Sequence, residues 1–407
     1  MKRVVVTGIG AVSPLGNDAK TYWDNVVKGK CGIDFITKFD TADYKVKIAA
    51  EVKGFDPSLY MEKGEIRRTD LYAQYALASS MQAMSDSRLK DNIDPKRLGV
   101  YYSSGIGGLN TFYDEAVKIA AKEPGRVSPY FIAMMIENIA AGLIAIRNRA
   151  QGPALSVVTA CATSTNSIGE AFRAIKYGFA DAIIAGGSEA AIHGLPIAGF
   201  TNCMALSQKN IPLDTSVPFD KRRDGFVMGE GGGAIILEEY EHAKSRGAHI
   251  YAEIKGYGNT CDAYHVTAPS PDGKGAAKAI LDSLAEAGIS GDNLYINAHG
   301  TSTPLNDKSE TAAIKLALGQ KAKLALVSST KSMIGHCLGA AGVLEAIAAI
   351  KALETGIIPP TIGYKEPDMD CDLDYVPNKA KKADVAAAIS ISMGFGGHNA
   401  CVAFTKI

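Results

Sequence analysis

A cysteine among small residues is the first group in the chain that could do covalent chemistry. Cys161 lies between an apolar run that starts at Ala154 and an amphipathic stretch that extends to Ile175. The run indicates a buried strand, and the stretch indicates a helix. A thiol at a helix start faces unpaired N–H groups and the positive end of the helix dipole, which lower its pKa and favour thiolate. The other interpretation is a small buried core cysteine, and this stretch alone does not separate the two.

Two histidines follow other predicted strands and could work with such a thiol. His299 ends the apolar run Leu294–Ala298, and His336 lies in a glycine-rich turn after the strand Leu324–Ser328. Lys331 precedes His336 in the same turn. Ligands of α/β sheets bind outside the carboxyl ends of strands, so residues far apart in sequence can share one site. A lone histidine in such a turn is more often structural, so the hypothesis requires that these strand ends meet.

The elements that would hold these groups recur along the chain. A strand, small polar residues and an alanine-rich helix follow in the same order around Cys161 and around His336. The plan restarts with a strand at Tyr251–Gly256. This repetition predicts an α/β protein with a duplicated unit, one half at 1–250 and the other at 251–407.

Two other stretches bear on the fold. Arg3–Gly8 is a predicted strand that runs into Gly10 as in a dinucleotide-binding fingerprint, but Pro14 stands where the fingerprint's helix should begin. This partial match is weak, so a nucleotide site is the less favoured interpretation. Phe131–Ile146 is a predicted apolar helix, either buried or at a subunit interface.

Composition argues against several classes of function. Lysine plus arginine equals aspartate plus glutamate, 43 each, so no bulk charge points to nucleic acid. The seven cysteines are scattered without a CxxC, which disfavours a disulfide framework or a metal site and fits a reducing cytoplasm. No apolar run is long enough to span a membrane. Lys63, Arg67 and Arg68 form a local basic cluster, and charge alone favours a solvated helix start over a docking patch.

Four motifs, in order, resemble the β-ketoacyl-acyl carrier protein synthases, and the elongating type II enzymes of fatty acid synthesis match best. They are TACATS around Cys161, NAHGTSTPLND from Asn297, SSTKSMIGHCLGAAG from Ser328 and GFGGHN from Gly394. The stretches DKRRDGFVMGEG, EYEHAKSRGA and DAYHVTAP extend the resemblance over essentially the whole chain. The resemblance implies a thiolase-like, duplicated five-layered αβαβα architecture, usually as a homodimer.

The resemblance also implies a reaction. The Cys161 thiolate would take an acyl chain from the phosphopantetheine arm of acyl carrier protein, and malonyl-carrier protein would then lose CO₂. The resulting carbanion would attack the acyl thioester and lengthen the chain by two carbons. A thiolate suits this chemistry because it is both a nucleophile and a good leaving group. No metal or redox cofactor is implied.

Residue roles follow from the same resemblance. The implied catalytic residues are Cys161, His299, His336, Lys331 and Phe395. The implied substrate-binding residues are Ile106 in the acyl pocket, Thr301, Thr303, Gly394 and Gly396. The implied carrier-protein docking patch comprises Lys63, Arg67, Arg68, Arg126 and Lys209.

Within the site, the two histidines would stabilise the enolate, and the backbone N–H groups of Cys161 and Phe395 would form a further oxyanion hole. The histidine tautomers stay open. Lys331 would support the site through Glu345 or Asp307.

Departures from the family pattern keep alternatives open. Met393 and His398 stand where the family commonly has Phe and Thr, which leaves the preferred chain length unpredicted. A ketosynthase of a polyketide or specialised lipid pathway fits the same motifs. A non-catalytic partner subunit would typically lack the cysteine. A coenzyme A thiolase would carry a second catalytic cysteine in the last glycine motif, where GFGGHN has none.

Overall fold

One ten-stranded sheet runs through the computed structural model, which describes residues 1–407. In chain order its strands are β1 Val4–Val12, β2 Leu98–Ser103, β3 Ala154–Leu155, β4 Ala182–Glu189, β5 Gly231–Glu239, β6 Ala252–Cys261, β7 Leu294–Asn297, β8 Leu326–Ser328, β9 Ala387–Gly394 and β10 His398–Thr405. Their spatial order is β8-β7-β9-β10-β6-β1-β5-β4-β2-β3. Two separate ribbons pair Asp34–Phe35 with Ile48–Ala49 and Ile357–Ile358 with Lys381–Lys382.

Both halves of the sheet have the same strand order. Counted from the centre outward, each half presents its first, fifth, fourth, second and third strand. In each half the three outer strands are parallel and the fifth strand is antiparallel to its neighbours. The halves join where β1 pairs with β6 in antiparallel register at Val4–Val6. The repeated order agrees with the predicted duplication, whereas the boundary after residue 250 stays a prediction.

The chain has fourteen α-helices. They are α1 Ala19–Val27, α2 Lys63–Ile66, α3 Leu71–Ser87, α4 Leu109–Ala120, α5 Phe131–Met135, α6 Ile139–Asn148, α7 Thr163–Lys176, α8 Gly194–Asn202, α9 Pro212–Thr215, α10 Tyr240–Ser245, α11 Lys274–Ala287, α12 Pro304–Leu318, α13 Lys331–Ile334 and α14 Ala341–Thr355. Helices α7 and α14 contact each other and strands of both halves, whereas α3 packs on the first half and α11 on the second. No helix has the length and apolarity needed to cross a membrane.

The N-terminal glycines serve packing inside β1. A Cβ added at Gly8 would lie 2.3 Å from the carbonyl oxygen of Ala83, and one added at Gly10 would lie 2.1 Å from that of Ser79. These two glycines therefore let α3 lie close against the strand, which continues to Val12 without turning into a helix. Close packing against α3 therefore accounts for both glycines of the partial fingerprint.

The prediction of one helix over Phe131–Ile146 is wrong. The structure has two helices, α5 and α6, and Ile136 between them is extended. Groups outside the helix bond the carbonyls at the break: Gly108 N–H donates to Met135 at 2.9 Å, and the Tyr72 hydroxyl donates to Ile136 at 2.6 Å. These tertiary donors replace the intrahelical bonds that a continuous helix would make.

The predicted strand before Cys161 exists, but its predicted burial is wrong. Strand β3 has only two residues and pairs only with β2, at the edge of the sheet. Leu155 is 51% exposed and Val158 is 42% exposed. The apolar side chains of this run therefore lie at the edge of the sheet and not in the core.

Candidate active site

Cys161 lies in a tight turn that leads directly into α7. The turn is the 3₁₀ segment Ala160–Ala162, and Ala160 adopts the left-handed φ of 51°. The second half has the same arrangement: the 3₁₀ segment Leu338–Ala340 begins at Leu338 with φ 48° and leads into α14. A left-handed conformation at a non-glycine residue costs free energy and is retained where the surroundings enforce it. The two corresponding turns therefore carry the same local strain.

A cavity of about 350 Å³ brings together seven of the ten predicted catalytic and substrate-binding residues. Those that line it are Cys161, His299, Thr301, Thr303, His336, Gly394 and Phe395. Ile106 does not line this cavity but packs in the apolar cluster that includes Cys161. Gly396 has φ 87° and donates its N–H to the Val266 carbonyl at 2.7 Å, so it shapes the adjacent loop.

Both histidines are neutral rings whose Nδ1 atoms are already acceptors. The Leu338 N–H donates to His336 Nδ1 at 3.3 Å, and the Lys331 ammonium donates to His299 Nδ1 at 3.4 Å. Burial, with the positive charge of Lys331, holds the pKa of each imidazole well below its usual value. Each ring therefore carries its proton on Nε2. The ring centroids are 5.2 Å apart, so the site holds two adjacent uncharged N–H donors.

Lys331 is buried behind His299 and pairs with Glu345. Burial raises the pKa of Glu345 to about 7, and the charge and hydrogen bond of Lys331 act against that rise. Asp307, the other predicted partner, instead accepts the backbone N–H of Phe219 at 2.8 Å. The structure therefore selects Glu345 as the partner of Lys331.

The predicted low pKa of the thiol is wrong for the free protein. Burial raises the pKa of Cys161 to about 11, although the charge of Lys331 and the backbone N–H of Phe395 act in the opposite direction. Loss of water around the sulfur is the largest influence on this pKa, because transfer of a thiolate out of water is costly. The resting thiol is protonated at neutral pH.

The glycine turn after β9 lies against the nucleophile. A Cβ added at Gly394 would lie 2.8 Å from the Thr159 carbonyl oxygen and 3.3 Å from the Cys161 nitrogen. The absence of a side chain therefore lets the two backbones meet. The backbone N–H of Phe395 is thereby brought to the sulfur, as the oxyanion-hole hypothesis requires.

Two buried carboxylates hold the backbone of the site and were missed by the sequence analysis. Glu310 accepts the N–H groups of His299 at 2.6 Å and Gly300 at 2.8 Å. Glu189 ends β4 and accepts three donors from two turns. A glutamate that ends the apolar run from Ala182 was the available signal, because fully buried acidic residues are rare unless they are paired.

Three of the predicted docking residues present free charge. Lys63, Arg67 and Arg68 are exposed at the segment before α3, and none pairs with a carboxylate. The Arg68 guanidinium lies 4.8 Å from the centre of the Tyr130 ring. This cluster is available to an anionic partner.

The other two docking residues already have acidic partners. Arg126 pairs with Glu123 at 2.6 Å, although its side chain is 71% exposed. Lys209 is half-buried and lies 3.4 Å from Asp224, which lines the cavity. Lys209 thus braces the cavity wall, and its predicted docking role has less support than that of Lys63.

Comparison with known proteins identifies the family. The family model described as the beta-ketoacyl synthase N-terminal domain matches residues 1–243, and that of the C-terminal domain matches residues 251–365. The chain belongs to the β-ketoacyl synthase family. Two relatives in this family, from Synechocystis sp. and Staphylococcus aureus, are named 3-oxoacyl-[acyl-carrier-protein] synthase 2. Each is 50% identical to this chain over 408 residues, which cover 100% of this chain and 98% of the relative.

Solved β-ketoacyl synthase structures confirm the predicted thiolase-like fold. A β-ketoacyl synthase from Burkholderia phymatum has a TM-score of 0.93 at 31% identity and covers all of both chains. A ketosynthase structure described as a complex with its type II polyketide acyl-carrier protein has a TM-score of 0.92 at 35% identity, covering 100% of this chain and 99% of that one. The family resemblance of the four motifs is therefore confirmed, and the individual residue roles remain predictions.

Proposed function

We propose that the chain is a β-ketoacyl-[acyl carrier protein] synthase of fatty acid elongation. It condenses malonyl-carrier protein with an acyl chain bound to Cys161, releases CO₂ and lengthens the chain by two carbons. The observation that carries this proposal is the meeting of the Cys161 thiol with two neutral Nε2–H donors in a single cavity. The names of the half-identical relatives support the carrier protein as the substrate donor.

The first half-reaction is thioester exchange. The Cys161 sulfur attacks the acyl carbonyl, the carrier's C–S bond breaks, and the proton lost by the cysteine balances the one gained by the pantetheine sulfur. The tetrahedral oxyanion would accept the N–H groups of Cys161 and Phe395. Because the resting thiol is protonated, this step includes its deprotonation as the acyl carrier arrives.

The second half-reaction makes the new carbon–carbon bond. Malonyl-carrier protein loses CO₂, and the electron pair of the broken bond forms an enolate on its thioester. The Nε2–H groups of His299 and His336 would stabilise the enolate oxygen without a formal charge of their own. The enolate carbon attacks the acyl-cysteine, the C–S bond to Cys161 breaks, and the released thiolate takes up a proton from solvent.

Substrate binding draws on the same cavity. The Thr301 and Thr303 hydroxyls lie 3.0 Å apart in its wall, where they would bind the pantetheine amides. Ile106 would contact the acyl chain from the apolar cluster around Cys161. This chemistry uses thiol, imidazole and amide groups and requires no metal or redox cofactor beyond the carrier's own phosphopantetheine.

The exposed surface supports a homodimer. The unpaired edge of β3 carries exposed Leu155, and Val158 follows it. Ile132 is 59% exposed and Ile146 is 77% exposed, so apolar side chains remain to be covered. We expect light scattering to give twice the chain's mass, and a monomer at micromolar concentration would reject the dimer.

All seven cysteines are free, which supports a reducing, cytoplasmic location.

A ketosynthase of a polyketide or specialised lipid pathway is the second candidate. It is favoured by structural neighbours such as the ishigamide ketosynthase/chain length factor, with a TM-score of 0.93 at 35% identity. The higher identity to the 3-oxoacyl-carrier-protein synthases favours fatty acid elongation. Elongation assays that compare the carrier proteins of the two pathways distinguish the candidates.

The deciding experiment is intact mass after incubation with dodecanoyl-carrier protein. We expect an added acyl mass on the wild type and none on Cys161→Ala. Cys203→Ser is the matched control, because Cys203 also lines the cavity and should not be acylated. Acylation of Cys161→Ala, or loss of acylation in Cys203→Ser, would reject Cys161 as the nucleophile.

A further inference from the structure

Glu189 is a buried carboxylate at the end of β4 that no step of the proposed reaction uses. Its Oε1 accepts the Ser104 hydroxyl at 2.6 Å, and its Oε2 accepts the N–H groups of Gly105 and Gly339, each at 3.0 Å. The side chain is fully buried and makes no ion pair. A carboxylate without a counter-charge is costly to bury, so three converging donors indicate a dedicated arrangement.

One arm of this arrangement is the turn that carries Ile106. The Ser104 oxygen, oriented by Glu189, accepts the N–H of Gly107 at 2.9 Å and that of Ile106 at 3.4 Å. The carboxylate also bonds Gly105 directly. Glu189 therefore fixes the backbone that places Ile106 in the apolar cluster with Cys161.

The other arm reaches the turn that holds His336. Gly339 lies in the segment Leu338–Ala340, whose first residue donates its N–H to His336 Nδ1. A Cβ added at Gly339 would lie 2.4 Å from the Gly105 nitrogen and 2.8 Å from the Glu189 carboxylate. The two turns thus touch, and the carboxylate bonds both of them.

We propose that Glu189 is a positioning residue that sets the acyl chain-length preference of Cys161. Its carboxylate holds the turn of Ile106, which packs in the same apolar cluster as Cys161, at a fixed distance from the His336 turn. It acts through these turns and touches no substrate. The inference rests on the proposed function, because it requires an acyl chain on Cys161.

Glu189→Gln tests the arrangement with little change in volume. The amide oxygen can accept the two glycine N–H groups, but the amide NH₂ then faces Ser104, whose oxygen already accepts two N–H groups. The Ser104 hydroxyl loses its acceptor, and the Ile106 turn loosens. Ser104→Ala breaks the same arm from the other side and leaves the carboxylate bonded to Gly105 and Gly339.

The experiment measures the acylation rate of Cys161 by intact mass, with butyryl- and dodecanoyl-carrier protein. We expect the ratio of the two rates to change about tenfold in both variants, since small displacements in a pocket cost roughly this much. The double variant should change the ratio by less than the product of the single effects, because the two residues share one arm. Glu238→Gln, which alters a buried carboxylate at the other end of the sheet's strands, should leave the ratio unchanged.

A ratio within twofold of wild type in folded Glu189→Gln and Ser104→Ala would overturn the inference, as would an equal change in Glu238→Gln. If Glu189→Gln does not fold, Ser104→Ala decides alone. A wild type that forms no acyl-enzyme with any chain length would instead reject the proposed function, so the two failures are distinguishable.

Discussion

The positions of individual protons decide what this site can do. Two histidines with a depressed pKa and occupied Nδ1 atoms are hydrogen-bond donors, not acids. They suit a step in which negative charge develops on an oxygen, and they contribute little to thioester exchange. The two half-reactions should therefore separate under mutation.

His299→Ala and His336→Ala should each lower malonyl-carrier decarboxylation by about 100-fold or more, which is the usual cost of removing an oxyanion donor. Acylation of Cys161 should persist in both variants. Release of CO₂ and intact mass measure the two steps separately. His249→Ala is the control, because that side chain is 61% exposed and lies outside the cavity. Normal decarboxylation in both variants would show that their roles are wrong.

The raised pKa of the Cys161 thiol leads to a second prediction, on how its reactivity depends on pH. Below a pKa of about 11, the thiolate fraction rises with pH. Alkylation of Cys161 by iodoacetamide should therefore accelerate about tenfold per pH unit between about pH 7 and 10. Lys331→Met should slow alkylation at a given pH, because it removes a positive charge that stabilises the thiolate. A rate that levels off near pH 8 would contradict the raised pKa.

At the scale of elements, the site depends on the approach of the turn after β9 to the turn before α7. Gly394→Ala should lower acylation about 100-fold, because its Cβ would overlap the Thr159 carbonyl and displace the nucleophile. Gly199→Ala is the matched control, since an added Cβ in α8 meets no atom within 4 Å. It should leave acylation intact and stabilise the protein by about 0.5–1 kcal/mol. Equal acylation by the two variants, measured by intact mass, would show that the close approach is not required.

Most of the predicted helices and strands could be located from the sequence, but two features of them could not. Periodicity located α7, α14 and strands such as β1, β6 and β7, because these elements follow local hydrophobic patterns. It did not predict the helix break at Ile136, whose carbonyl accepts a hydrogen bond from the Tyr72 hydroxyl. It also did not predict the exposure of Leu155, whose apolar side chain lies on an edge strand. Such features depend on tertiary partners that a local pattern does not contain.

The candidate site also combines residues that the sequence could locate with features that it could not. Motif residues such as Cys161 and His336 could be located because their types and order are distinctive. The thiol pKa depends on burial, and the role of Glu189 depends on turns that come together only after folding. Neither the sign of a pKa shift nor a contact between two turns can be obtained from the spacing of residues along the chain.

At the scale of the whole molecule, the ten-stranded sheet makes the two halves interdependent. The first half supplies Cys161 and the second supplies both histidines, so the cavity exists only where the halves meet. In the proposed reaction, the acyl carrier protein must then dock on the surface of the chain. The basic segment before α3 is the candidate, because Lys63 and Arg67 have no acidic partner within the chain.

Charge reversal tests this docking surface. Lys63→Glu and Arg67→Glu should each raise KM for acyl-carrier protein about threefold to tenfold at low salt, with little change in kcat. The effect should shrink as salt rises, because exposed charges are screened over about 10 Å at 0.1 M. Lys323→Glu is the control for net charge, since Lys323 is exposed beside β8, an edge strand of the second half, whereas α3 packs on the first half. Acyl-pantetheine, which lacks the carrier's acidic surface, should react equally with all variants. A KM that rises equally for acyl-pantetheine would place these residues in the substrate path and reject a docking role.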